Sequence, residues 1–136
     1  METKRKNTNV PVIIDFDGTC VTHDYPEVGK NIGAQKVLKE LVAAGCKLIL
    51  FTMRDKEQLD DAVKWFQDND IELWGVQSNP TQKKWTTSPK AYGKIYIDDA
   101  ALGCPVILNE EVHHRAFVDW VRVRKELVKR GILSDD

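Results

Sequence analysis

Residues 10–16 form a short, nearly continuous apolar run rich in β-branched side chains, and the turn-forming pair Asp17-Gly18 closes it. A half-exposed strand would alternate apolar and polar positions. A run that is apolar throughout reads as a strand buried on both faces. Such a strand needs a covering layer on each side. Similar short runs are predicted at 47–52, 71–76, 94–97 and 106–108. Between them the apolar spacing changes to that of a helix. Val37, Leu38, Leu41 and Val42 make one stripe, ended by Gly45. Leu59, Ala62, Val63 and Phe66 make a second, opened by a capping-box pattern at Asp55 and Gln58. A third helix is predicted over 112–130, with Phe117, Trp120, Val121, Leu127 and Val128 inward. Residues 77–90 hold Pro80, Pro89 and several Ser and Thr, and read as loop. Alternating strands and helices predict an α/β chain with a parallel sheet of about five strands.

The chain has 136 residues, enough for one core. Residues 1–9 are polar and read as a flexible tail, and 10–136 as a single domain. The 20 basic residues nearly balance 21 acidic ones. That argues against general nucleic-acid binding, although Lys4, Arg5 and Lys6 form a small basic stretch. No apolar run reaches membrane-spanning length, and residues 1–9 lack a signal-peptide pattern. Cys20, Cys46 and Cys104 include no CxxC spacing and read as reduced thiols. A cytoplasmic protein with no membrane partner is expected.

Ligands of open parallel sheets bind beyond the carboxyl ends of the strands. The first strand ends in Asp15-Phe16-Asp17-Gly18-Thr19, the second in Thr52-Met53-Arg54, and the fourth in Asp98-Asp99. Four carboxylates would therefore gather at one edge. They repel one another, and a hard divalent cation relieves the repulsion. Oxygen donors without His or Cys favour Mg2+, which keeps waters and takes phosphate oxygens as further ligands. On chemical grounds the pattern points to phosphoryl transfer.

These residues resemble the haloacid dehalogenase (HAD) superfamily. Asp15-Phe16-Asp17-Gly18-Thr19 is similar to its first motif, and Thr52 to its second. Lys90, eight residues before Asp98, is similar to the third, and Asp98-Asp99 to the fourth. The resemblance spans residues 10–108 and is nearest to short, capless hydrolase-like proteins of bacteria and phage. It implies a three-layer α/β/α Rossmann-like fold. It implies that Asp15 attacks phosphorus to form an aspartyl-phosphate and that Asp17 is the general acid and base. It implies Mg2+ held by Asp15, Asp98 and the Asp17 carbonyl, with Asp99 as ligand or neighbour, and a phosphoryl group bound by Thr52 and Lys90. Because dehalogenases of that superfamily lack an aspartate at this place, the resemblance also implies phosphate rather than halide chemistry.

Arg54 suits a bidentate phosphate contact, or a pair with Asp55 or Glu57. Lys83 and Lys84 compete with Lys90 for the third-motif role. His23, Tyr25 and the 78–85 loop are candidates for substrate contact. Trp65 and Trp120 are expected in the core, and His113 and His114 carry no assigned role. Only 34 residues separate Asp17 from Thr52, and no cap domain fits there or between Arg54 and Pro89. An open site takes either a large phosphorylated substrate, such as a phosphoprotein or nucleic-acid end, or a cover from a second subunit of a homo-oligomer. The leading expectation is a Mg2+-dependent phosphomonoester hydrolase. A nucleotidase or polynucleotide-end phosphatase, and a non-enzymatic receiver-like phospho-acceptor or phosphate-binding module, are the alternatives.

Overall fold

The computed structural model describes residues 9–135. The tail expected at 1–9 lies outside them except for Asn9, whose N–H donates to the Gly45 carbonyl at 2.9 Å. The chain runs through β1 (Pro11–Ile14), α1 (Ala34–Ala43), β2 (Lys47–Leu50), α2 (Lys56–Asp68), β3 (Gly75–Val76) and β4 (Ile95–Ile97). It ends with β5 (Val106–Ile107), β6 (Phe117–Val118) and α3 (Trp120–Lys129).

Strands β1 to β4 form a parallel sheet in the order β3-β2-β1-β4. All four residues of β1 are buried, which is why its sequence is apolar throughout. The chain first moves from β1 to β2 and β3. It then crosses back to place β4 on the other side of β1. Such a reversal of strand order opens a crevice at the carboxyl edge.

Side chains alternate across each strand. Val12, Ile14, Leu48 and Leu50 share one core with Leu38 and Leu41 of α1, Trp65 and Phe66 of α2, and Val123 and Leu127 of α3. Burying each side chain of that size stabilises the fold by about 1.5–3 kcal/mol. Ile13 and Ile49 pack instead with Ala91 and Trp74. The segment leading to Ala91 is irregular apart from a 3-10 turn at Gln82–Lys84. Buried Gln82 replaces the missing helical hydrogen bonds. Its Nε2 donates to the Ser88 and Lys90 carbonyls, and its Oε1 accepts from the Tyr92 N–H.

Several local expectations change. The 106–108 run does not join the central sheet, because Val106–Ile107 pairs antiparallel with Phe117–Val118. The third strand shortens to Gly75–Val76. The last helix starts at Trp120 rather than at 112. Phe117 and Val118 are adjacent and both buried in the short ribbon, and Asp119 caps the helix that follows. Its carboxylate accepts from the Val121 and Arg122 N–H groups. The later start changes the helix phase, so Val121 is 67% exposed and Val123 takes a buried place. The Asp55 side chain makes no cap hydrogen bond on α2. Trp65 and Trp120 are buried as expected, and all three cysteines are unpaired. No helix among the described residues is long and apolar enough to cross a membrane.

Candidate active site

Strands β1 and β4 pair Ile14 with Ile97, so Asp15 and Asp98 leave the sheet side by side. The Asp15 N–H donates to the Ile97 carbonyl at 3.0 Å. Asp15, Asp98 and Asp99 each place a carboxylate oxygen within 4.8 Å of the others. Phe16, between the first two aspartates in sequence, is fully buried. Its ring meets Trp65 and Phe66 at centroid distances of 5.7 and 6.2 Å. This anchor leaves Asp15 and Asp17 half-buried at the edge. Gly18 then turns the chain with φ near +80°. A Cβ there would stand 1.9 Å from His23 Nε2 and 2.7 Å from an Asp99 oxygen, so only glycine fits.

Thr19 knits the acidic group together. Its buried hydroxyl lies 2.9 Å from Asp15 Oδ2 and 3.2 Å from Asp99 Oδ1, and it accepts the Asp99 N–H at 3.0 Å. The hydroxyl has one proton, so it serves one of these carboxylates at a time. His23 Nε2 lies 2.8 Å from Asp99 Oδ2. The Trp120 indole donates to the Thr19 carbonyl at 2.7 Å, which ties α3 to the loop.

The Asp15 carboxyl is pushed up to about 8. Burial is the largest cause, followed by the Asp98 charge and the hydrogen bond with Asp99; Thr19 and the Phe16 N–H oppose it. Without a cation, burial and the neighbouring carboxylates favour the protonated form of Asp15. The donor set is all oxygen, and its members repel. Among the described residues no hydrogen bond reaches the Asp17 main-chain carbonyl, which leaves a further oxygen free. These residues fit a hard divalent cation.

The Asp17 carboxylate is held differently. Arg54 Nε and Nη2 each donate to it at 2.8 Å. The arginine is 1% exposed and lies 5.0 and 5.2 Å from the Phe16 and Tyr25 ring centroids. The pairing with Asp55 or Glu57 considered from sequence is replaced by this one. Both of those residues are exposed at the start of α2, whereas Arg54 turns inward. The Thr52-to-Arg54 turn is clamped by Gln77. Its Oε1 accepts the Thr52 N–H, and its Nε2 donates to the Thr52 and Arg54 carbonyls.

Of the residues singled out in the sequence, Asp15, Asp98 and Asp99 meet directly. Asp17 meets Arg54. Thr52 follows β2, and its hydroxyl accepts the Arg54 N–H. Lys90 is exposed, and its ammonium makes no ion pair among the described residues; only its N–H and carbonyl are tied, to Ser88 and Gln82. Lys83 and Lys84 are also exposed, so none of the three lysines is drawn to the carboxylates. Sequence reasoning missed the linking role of Thr19, the His23–Asp99 pair and the Gln77 clamp. Only Thr19 carried a signal, as part of the Asp-rich strand end.

No protein-family model matches the chain, and no curated protein matches it. Among solved structures, a conserved protein of Bacteroides thetaiotaomicron is similar to it. That structure has a TM-score of 0.72 and 28% sequence identity, over 91% of this chain and 93% of its own. The likeness thus extends along nearly the whole α/β chain.

Proposed function

We propose that this chain is a Mg2+-dependent phosphomonoester hydrolase of HAD type, built on a three-layer Rossmann-like fold with no cap domain. The observation that carries the reading is the gathering of Asp15, Asp98 and Asp99 beside an Asp17 that has its own counter-ion. In the first step an Asp15 oxygen bonds to phosphorus, the bond to the leaving oxygen breaks, and Asp17 gives that oxygen a proton. In the second step a water oxygen bonds to phosphorus, the Asp15–phosphorus bond breaks, and Asp17 takes the water's proton. Asp15, Asp98, Asp99 and the Asp17 carbonyl would hold Mg2+. The ion would screen the gathered charge and orient the phosphoryl oxygens. Thr52 and Lys90 bind the phosphoryl group in this scheme. Lys90 must swing in from its exposed position, as a long side chain on a loop can do.

The test is steady-state hydrolysis of an aryl phosphate. Many turnovers with Mg2+, none in excess chelator and little with Ca2+ are expected. Turnover that persists in chelator removes the metal from the scheme. One phosphorylation per chain without release describes the receiver-like alternative. A panel of nucleotides, sugar phosphates, phosphopeptides and phosphorylated DNA ends then places the substrate class. Modest activity on several classes is the expectation for an uncapped site.

A further inference from the structure

Arg54 is the largest fully buried side chain that also carries a charge. Every one of its five guanidinium N–H groups has a partner inside the protein. Nε meets Asp17 Oδ2, and Nη2 meets Asp17 Oδ1 and the Glu27 carbonyl at 2.7 Å. Nη1 meets the Pro26 and Gln58 carbonyls at 3.3 and 3.1 Å. All five donors are engaged within the chain, so a direct phosphate contact would require breaking one of these bonds.

We propose that Arg54 is a positioning residue: it sets the orientation of the Asp17 carboxyl for proton transfer and fastens the 26–27 segment beside it. This rests on the phosphatase reading above. A planar guanidinium bound through two parallel bonds fixes both the distance and the plane of a carboxylate. A lysine would keep the charge but bond at a single point. Phe16 and Tyr25 flank the guanidinium, so its own plane is held by packing. The Asp17 side chain keeps 19% exposure, so solvent still reaches it. The same guanidinium reaches Gln58 on α2 and the 26–27 carbonyls. The acid–base group, the loop after the first strand and the second helix therefore share one fixed point.

A proton donor matters most when the leaving oxygen is strongly basic. Alkyl phosphates need the proton, and nitrophenyl phosphate needs it far less. The test is Arg54→Lys, measured with Mg2+ on both substrates, together with inhibition by inorganic phosphate. The expected result is a loss of kcat/KM, which reports phosphoenzyme formation, at least about tenfold larger for the alkyl ester, with the phosphate inhibition constant unchanged within about twofold. Equal losses on both esters with inhibition weakened about tenfold or more would make Arg54 a phosphate ligand and overturn the proposal. Unchanged kinetics on both esters would overturn it too. If the variant fails to fold, the wild-type chain decides through the Arg54 Nε–H resonance. That signal should stay in place when Mg2+ and inorganic phosphate saturate the protein, and a large shift would mean direct contact. Wild-type protein without turnover would remove the phosphatase reading itself, and this inference with it.

Discussion

Asp15 and Asp17 stand two residues apart yet occupy opposite electrostatic surroundings. Asp15 faces two more carboxylates and is pushed up to about 8 by burial and by Asp98. Asp17 faces a buried guanidinium through two bonds of 2.8 Å. The first group gathers three carboxylates and fits a divalent cation. The second is complete within the chain. The contrast fits the two tasks of the proposed mechanism, with Asp15 as nucleophile and Asp17 as proton carrier. Phe16 makes it feasible, since one buried ring anchors the short segment that feeds both corners.

The comparison breaks most visibly in the kinetics. If Asp15 is the nucleophile, as proposed, Asp15→Asn should lower kcat by at least about a thousandfold with the fold retained. Asp17→Asn should still form the phosphoenzyme from an aryl phosphate and then break it down slowly. Rapid quench with intact-mass detection separates the two. Accumulated phosphoenzyme in Asp15→Asn, or none in Asp17→Asn, would merge the two roles.

Stability without metal sharpens the same contrast, because the two substitutions should act with opposite sign. Asp15→Asn removes the cost of burying an acid beside other acids and should raise metal-free stability, by more as pH rises toward about 8. Asp17→Asn leaves Arg54 buried without its counter-charge and should lower it by about 3 kcal/mol. Urea unfolding in chelator measures both. Equal signs would mean that the two corners are not electrically distinct.

The smallest effect is a pH slope. In the metal-free folded chain Asp15 holds its proton up to about pH 8, whereas its ordinary value is 3.8. Between these values the folded chain binds more protons than the unfolded one. The Asp15 contribution is therefore present in full below the lower value and is lost as pH rises through the upper one. The slope is at most about 1.4 kcal/mol per pH unit. Wild type minus Asp15→Asn isolates it, and saturating Mg2+ should flatten it. A difference that grows with rising pH would reverse the sign and contradict the shift.

Much of this was legible in the residues. The apolar runs located β1 and β2, because a strand buried on both faces admits only apolar side chains. Helical spacing located α1 and α2 for a similar reason. The carboxylates at strand ends marked the edge where Asp15, Asp98 and Asp99 gather. The last helix misled because its apolar spacing continues backward into Phe117, where burial comes from a short antiparallel ribbon instead. In the fold the helix begins at Trp120, where Asp119 caps it.

What the sequence alone determined was local: which segments bury both faces, where turns fall, and which acidic residues end strands. Those properties depend on neighbours a few positions away. The tertiary structure decided the partners. It set Asp98 beside Asp15 through the register of β1 with β4. It brought Arg54 to Asp17 across 37 positions and His23 to Asp99 across 76. Such pairings follow from strand order and crossover path, which no local pattern encodes. That is why the sequence offered Arg54 only a phosphate or its neighbours Asp55 and Glu57, whereas the fold engages it with Asp17 and the carbonyls of Pro26, Glu27 and Gln58.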